Sequence, residues 1–179
     1  MRFDPFVDRT ARDIRNSLSS ALVSDLCGRS DRQVERMVRH WIRDAGDASY
    51  RSYVLDCRVR YERVQDRIRS DHLTEPRLQA VVLWNAGLFF EMHELLETIW
   101  LPSKGDERLA LKGLIQAAGA YVHQQRGKPE AALRLAQRAR RNIGRAREAL
   151  AFIRNLDQLL RCLEDPRLPA VELLQNGQG

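Results

Sequence analysis

The sequence is poor in cysteine and lysine, and it has no long apolar run. Cys27, Cys57 and Cys162 are an odd number, widely spaced and without a Cys-x-x-Cys pair. That argues against both a disulfide framework and a thiolate zinc site, and it points to a reducing cytosol. Runs such as Ala80 to Trp84 fall far short of the ~18 apolar residues that a membrane span requires. The charged opening residues Arg2, Asp4, Asp8 and Arg9 do not form an export signal. A cytoplasmic chain with no membrane partner is therefore expected. Lysine stands only at 104, 112 and 128, so the net charge of +6 is almost entirely arginine, divided as +2 over residues 1–76, +1 over 77–128 and +3 over 129–179. No block concentrates the excess, and the charge alone does not name a partner.

The chain has 179 residues, 44% hydrophobic and 30% charged, a globular composition large enough for one well-buried domain or a domain with an appendage. Pro5, Pro76, Pro102, Pro129, Pro166 and Pro169 all fall at seams between helical periodicities, and no strand-like alternation competes. Helices are expected over about 8–26, from a cap at Ser30 or Asp31 through Trp41, over 50–68, from Pro76 to Trp100, over 107–125, from Pro129 to about Ile153, and briefly up to Leu163. Tyr50, Val54, Cys57, Tyr61, Val64 and Ile68 recur at gaps of four and three, a single buried stripe or a seam that could pair two subunits. The fold class is all-α, a helical bundle of six to seven helices with short connections. Residues 1–75 read as an N-terminal helical extension, 76–165 as the main helical domain and 166–179 as a weakly ordered tail. Trp41, Trp84 and Trp100 are candidates for core anchors or pocket walls.

One segment carries unusual chemistry. At 100° per residue, Phe90, His93, Glu94, Glu97 and Trp100 share an arc of ~120°, which puts ionisable groups on the greasy face. Glu94 and Glu97 are therefore expected to meet partners inside the bundle or to line a cavity. The next helix is the natural neighbour across the short 101–106 connection. Its Lys112, Gly113, Gln116, Gly119, Ala120 and His123 are expected to face this segment, with the small residues allowing close approach. Gln116 would then reach Phe90, Glu91 and His93, and Lys112 would sit one turn from Glu97. His123 would lie opposite Trp84, ~13 Å along the helix from the position facing His93.

The string Asn85-Ala-Gly-Leu-Phe-Phe-Glu-Met-His-Glu-Leu-Leu-Glu-Thr-Ile-Trp100 precedes Lys112-Gly-Leu-Ile-Gln-Ala-Ala-Gly119, then Tyr121-Val-His123 and Gly127. Together they resemble the helical bacterial and archaeal family known as domain of unknown function 309, over roughly Leu78 to Arg154. The resemblance implies a small all-helical domain of unassigned role. Its motif residues fall on Asn85, Gly87, Phe90, Glu91, His93, Glu94, Glu97, Trp100, Gly113, Gln116 and His123.

Three readings of the segment stand side by side. His93, Glu94 and Glu97 could be a satisfied polar network that fixes helix packing. They could be the acid/base groups of a small-molecule site, with Asn85, Phe90, Glu91, Trp100, Lys112, Gln116 and His123 as binding residues. The third reading is a metal-dependent hydrolase, since His93-Glu94-x-x-Glu97 imitates the metalloprotease His-Glu-x-x-His with its second histidine replaced. The facing helix offers poor further ligands in Gln116 and Lys112, so neither a resident metal nor any cofactor is expected. His40 and His72 stand in polar stretches and read as surface residues. A different class of function rests on Arg134, Arg138, Arg141 and Arg145, at steps of four, three and four, with Arg140, Arg147 and Arg154 as a second row. Such rows suit an acidic partner or nucleic acid, although no aromatic residues are interleaved for base stacking.

Overall fold

The computed structural model describes residues 3–30 and 32–175. Eight α-helices occur among them, where six to seven were expected, and no strand. The chain divides into two compact units, Met1–Leu73 and Thr74–Gly179.

The first unit holds α1 (Arg9–Leu26), α2 (Gln33–Asp44) and α3 (Ala48–Ser70). Asp8 starts α1 by accepting from the backbone N–H groups of Thr10 and Ala11, which satisfies donors that have no intrahelical partner. Its other carboxylate oxygen accepts from the Tyr50 hydroxyl of α3. That bond holds the Asp8 carboxyl below its usual range and raises the Tyr50 phenol. The cap of α2 comes from elsewhere than the sequence suggests. Asp31 lies outside the described residues, and Arg32 occupies the cap position with φ of 61°. The capping carboxylate belongs to Asp25 of α1, which accepts from Gln33 N–H at 2.8 Å and Val34 N–H at 3.0 Å. The expected stripe on α3 is inside, with Val54, Cys57, Tyr61, Val64 and Ile68 all buried. Trp41 is half-buried and donates its indole N–H to Ser17 Oγ at 2.7 Å.

The second unit holds α4 (Pro76–Asn85), α5 (Phe89–Trp100), α6 (Gly105–Gln125), α7 (Pro129–Arg145), a 3-10 turn at Arg147–Leu150 and α8 (Leu156–Cys162). The helix expected from Pro76 to Trp100 is two helices, because Gly87 takes the left-handed conformation with φ of 67°. Leu88 N–H bonds back to Leu83 at 2.9 Å and Gly87 N–H to Trp84 at 2.8 Å, the pairing of a Schellman stop with glycine in the position that a Cβ disfavours. Helix α6 is the central element and buries Ala110, Leu111, Leu114, Ile115, Ala117, Ala118 and Tyr121. Its glycines serve α7 and not α5, contrary to expectation. A Cβ on Gly113 would come within 2.7 Å of Ile143 Cγ1, and one on Gly119 within 3.3 Å of Leu135 Cδ1. The reciprocal surface on α7 is the buried stripe Ala132, Ala136, Ala139 and Ile143. Small residues on both helices allow the close approach. Helix α7 stops at Arg145, short of the expected end near Ile153.

The segment after α8, expected to be weakly ordered, is tied down through Gln175. Asn85 grips Leu173 with both ends of its amide, donating to the carbonyl at 2.9 Å and accepting from the N–H at 2.8 Å. Trp84 Nε1 donates to the Val171 carbonyl at 2.7 Å, and Asn155 makes a similar double contact with Glu172 O and Leu174 N. Ile153 and Gln175 form an isolated antiparallel bridge.

Candidate functional site

Helix α5 presents two chemically different faces. Phe89, Met92, Leu95 and Leu96 point into the core. Among the described residues the buried carboxylate is Glu91, only 4% exposed. His93, Glu94, Glu97 and Trp100 are half-buried, as is Phe90. Glu94 and Glu97 are thus not turned fully inward as expected. The break at Gly87 sets the rotation of α5, and the apolar stripe passes through Met92 and Leu95, one position off the arc drawn from the sequence.

Three ionisable groups nonetheless meet there. His93 Nε2 lies 3.2 Å from Glu97 Oε1 across one helical turn. Phe90 lies nearly parallel to the His93 ring, with centroids 6.3 Å apart and planes at 10°. One donor atom from each of His93, Glu94 and Glu97 can be chosen so that all lie within 4.8 Å of one another. The imidazole therefore has a carboxylate beside one nitrogen and an aromatic ring parallel to it, while part of the group faces solvent. Each side chain retains the donor chemistry to take a proton or to ligate a cation.

The other expected members are elsewhere. Gln116 accepts from the Asn142 amide of α7 at 2.8 Å, on the side of α6 that also carries Gly113. Lys112 is exposed and lines a shallow surface groove with Trp100, Gly105, Arg108 and Leu109. Arg108 sits with its guanidinium carbon 4.2 Å from the Trp100 ring centroid, a cation–π contact. It also donates to the carbonyls of Trp100 and Leu101 at 2.9 and 3.0 Å. Those bonds satisfy the carbonyl end of α5. Asn85 is occupied by Leu173. His123, near the end of α6, is driven towards its neutral form, first by burial and then by the positive charges of Lys128 and Arg134. It is not among the donors that gather at His93.

Sequence reasoning missed Asn142 and Arg108, although Arg108 stands one turn from Gly105 at the start of α6. The clamp on Leu173 carries no sequence signal, because it is made to main-chain groups that any residue there would present. Nearby, Trp84, Phe89 and Tyr121 form an aromatic core with ring centroids 5.0 to 5.2 Å apart. Burial there pushes the Tyr121 phenol up to about 12.

Residues 78–135 match the family model described as Domain of unknown function (DUF309). The DUF309 segment takes in α5, α6, most of α4 and the first turns of α7, and it ends at Leu135, short of the Arg154 expected. It contains His93, Glu94, Glu97, Gln116 and His123. The partners Asn142 and Leu173 lie outside it. No curated protein and no solved structure matches the chain.

Proposed function

We propose that the second unit binds a small polar molecule at His93, Glu94 and Glu97 and moves a proton on it. The observation that carries this reading is the His93–Glu97 contact at 3.2 Å. Glu97 lies beside Nε2 of the ring, and imidazole and carboxylate are the side chains that general acid–base catalysis uses most often. Phe90 lies parallel to the ring, and Glu94 supplies a second acid/base group within reach. Half-burial supports the reading, since a solute can approach without the helices parting.

Hydrolysis of activated small esters such as p-nitrophenyl acetate is the first assay. Replacing His93 by Ala lowers the rate over buffer by about 10²-fold or more, and Glu97→Ala lowers it less. A rate equal to buffer, or one indifferent to His93→Ala, overturns the reading.

A second reading, a metal-dependent hydrolase, is favoured by the mutual closeness of the three donor atoms. Imidazole and carboxylate ligands suit zinc or manganese. Under it, activity disappears with EDTA and returns with Zn²⁺ or Mn²⁺, and calorimetry detects an ion that neither His93→Ala nor Glu97→Ala binds. Activity untouched by EDTA leaves the proton-transfer reading alone.

A further inference from the structure

The outward side of α7 bears an unusual charge distribution. Its inner stripe of Ala132, Ala136, Ala139 and Ile143 is consumed in packing. Arg134, Arg138, Arg141 and Arg145 are all exposed, and at 100° per residue they fall within an arc of about 60°. At ~1.5 Å per residue the row is about 16 Å long, one guanidinium every ~5.5 Å. Neighbouring arginines are already neutralised: Arg140 pairs with Glu164 at 2.6 Å and Arg147 with Asp157 at 2.8 Å. Two of the three arginines of the second row read from the sequence are therefore already paired within the chain. Among the described residues, no carboxylate is paired with any of the four in the first row. Glu130 stands one turn before Arg134 and makes no ion pair with it. A straight line of cations is thus left open to an external anion.

We infer that this face of α7 docks on the phosphate backbone of duplex nucleic acid, without reading its sequence. Each strand of a duplex presents a phosphate about every 3.4 Å along the axis. Flexible arginine side chains at ~5.5 Å spacing can each find a separate phosphate, and their planar forks suit phosphate oxygens. Other occupants fit less well. A second copy of a chain carrying +6 repels this face. An amphipathic membrane anchor needs its apolar stripe free to enter lipid, and here that stripe is buried. A protein partner is usually anchored by an aromatic or aliphatic side chain at the centre of the contact, and the row has none. Without interleaved aromatics, single strands gain no stacking, so the duplex is the favoured form.

The test is fluorescence anisotropy of the full chain with a labelled 20-base-pair DNA duplex of arbitrary sequence, from 50 to 200 mM KCl. Four phosphate contacts predict a log–log salt slope of about −3.6, an affinity loss of about 10²-fold over that range. Arg138→Gln with Arg141→Gln halves the slope and weakens binding at every salt concentration. A scrambled duplex binds equally well. As a charge control, Arg140→Gln removes an arginine already paired to Glu164 and leaves the slope unchanged. Circular dichroism of each variant confirms that the helices are intact. The proposal fails if the duplex does not bind at 50 mM salt, or if the slope ignores the double substitution. It also fails if polyglutamate or phosphatidylserine vesicles bind more tightly than the duplex.

Discussion

A single methyl group separates two glycines of opposite use. At Gly113 an added Cβ meets Ile143 Cγ1 at 2.7 Å and backbone nitrogen at 3.0 Å, whereas at Gly144 it meets nothing within 4 Å. Gly113→Ala gains about 1 kcal/mol in helix propensity but forces α6 and α7 apart, and overpacking of that kind costs about 1–3 kcal/mol. Net destabilisation of up to about 2 kcal/mol is expected in urea unfolding. Gly144→Ala, exposed near the end of α7, should stabilise by about 0.5 kcal/mol. The same denaturation experiment reads both. His123 makes a residue-scale prediction of another kind. Its folded pKa is depressed, so the unfolded chain binds the extra proton first as acid is added. Stability from this residue is complete above the unfolded value near 6.5 and is lost as pH falls through and below it. The melting temperature between pH 7.5 and 5 should fall less steeply in His123→Asn than in the parent.

At the scale of elements, proline and glycine punctuation placed most helices in the sequence, because those residues fix the backbone locally. Gly87 gives no stop signal in the sequence, since the residues on both sides keep a helical apolar rhythm; only its positive φ reveals the stop. Periodicity also defined the faces of α6 without saying which neighbour each would meet. Chain proximity points Gly113, Gly119 and Gln116 towards α5, yet the alanine stripe of α7 offers the closer fit, and closeness of approach decides the pairing. For the same reason Lys112 and Gln116 left the candidate site while His93, Glu94 and Glu97, bound together by spacing within one helix, stayed in it. The clamp on the extended segment is testable at this scale. Asn85→Ala removes both bonds to Leu173 and should cost about 1–2 kcal/mol. Amide exchange should accelerate at Leu173 and Leu174 while α6 stays protected. Unchanged exchange there would mean that the clamp holds nothing.

For the whole molecule, the division at Leu73 and Thr74 follows from two separate sets of buried side chains. Ile14, Leu18, Leu22, Val54 and Tyr61 belong to one, and Trp84, Leu95, Leu114 and Ile143 to the other. A fragment of residues 74–179 should retain helical circular dichroism and melt cooperatively, whereas residues 1–73, near the lower size limit for an independent core, should be the less stable piece. Loss of cooperative melting in the larger fragment would show that its core is not self-sufficient.

The clamp also has a temporal side. The indole N–H of Trp84 finds its acceptor 87 residues further along, and the Asn85 amide finds its own 88 residues on. During synthesis at about 5–20 residues per second, these two groups emerge several seconds before their counterparts leave the ribosome. Until then these polar groups have only water or a chaperone to satisfy them, so this corner of the second unit matures only once the segment at 171–173 has arrived.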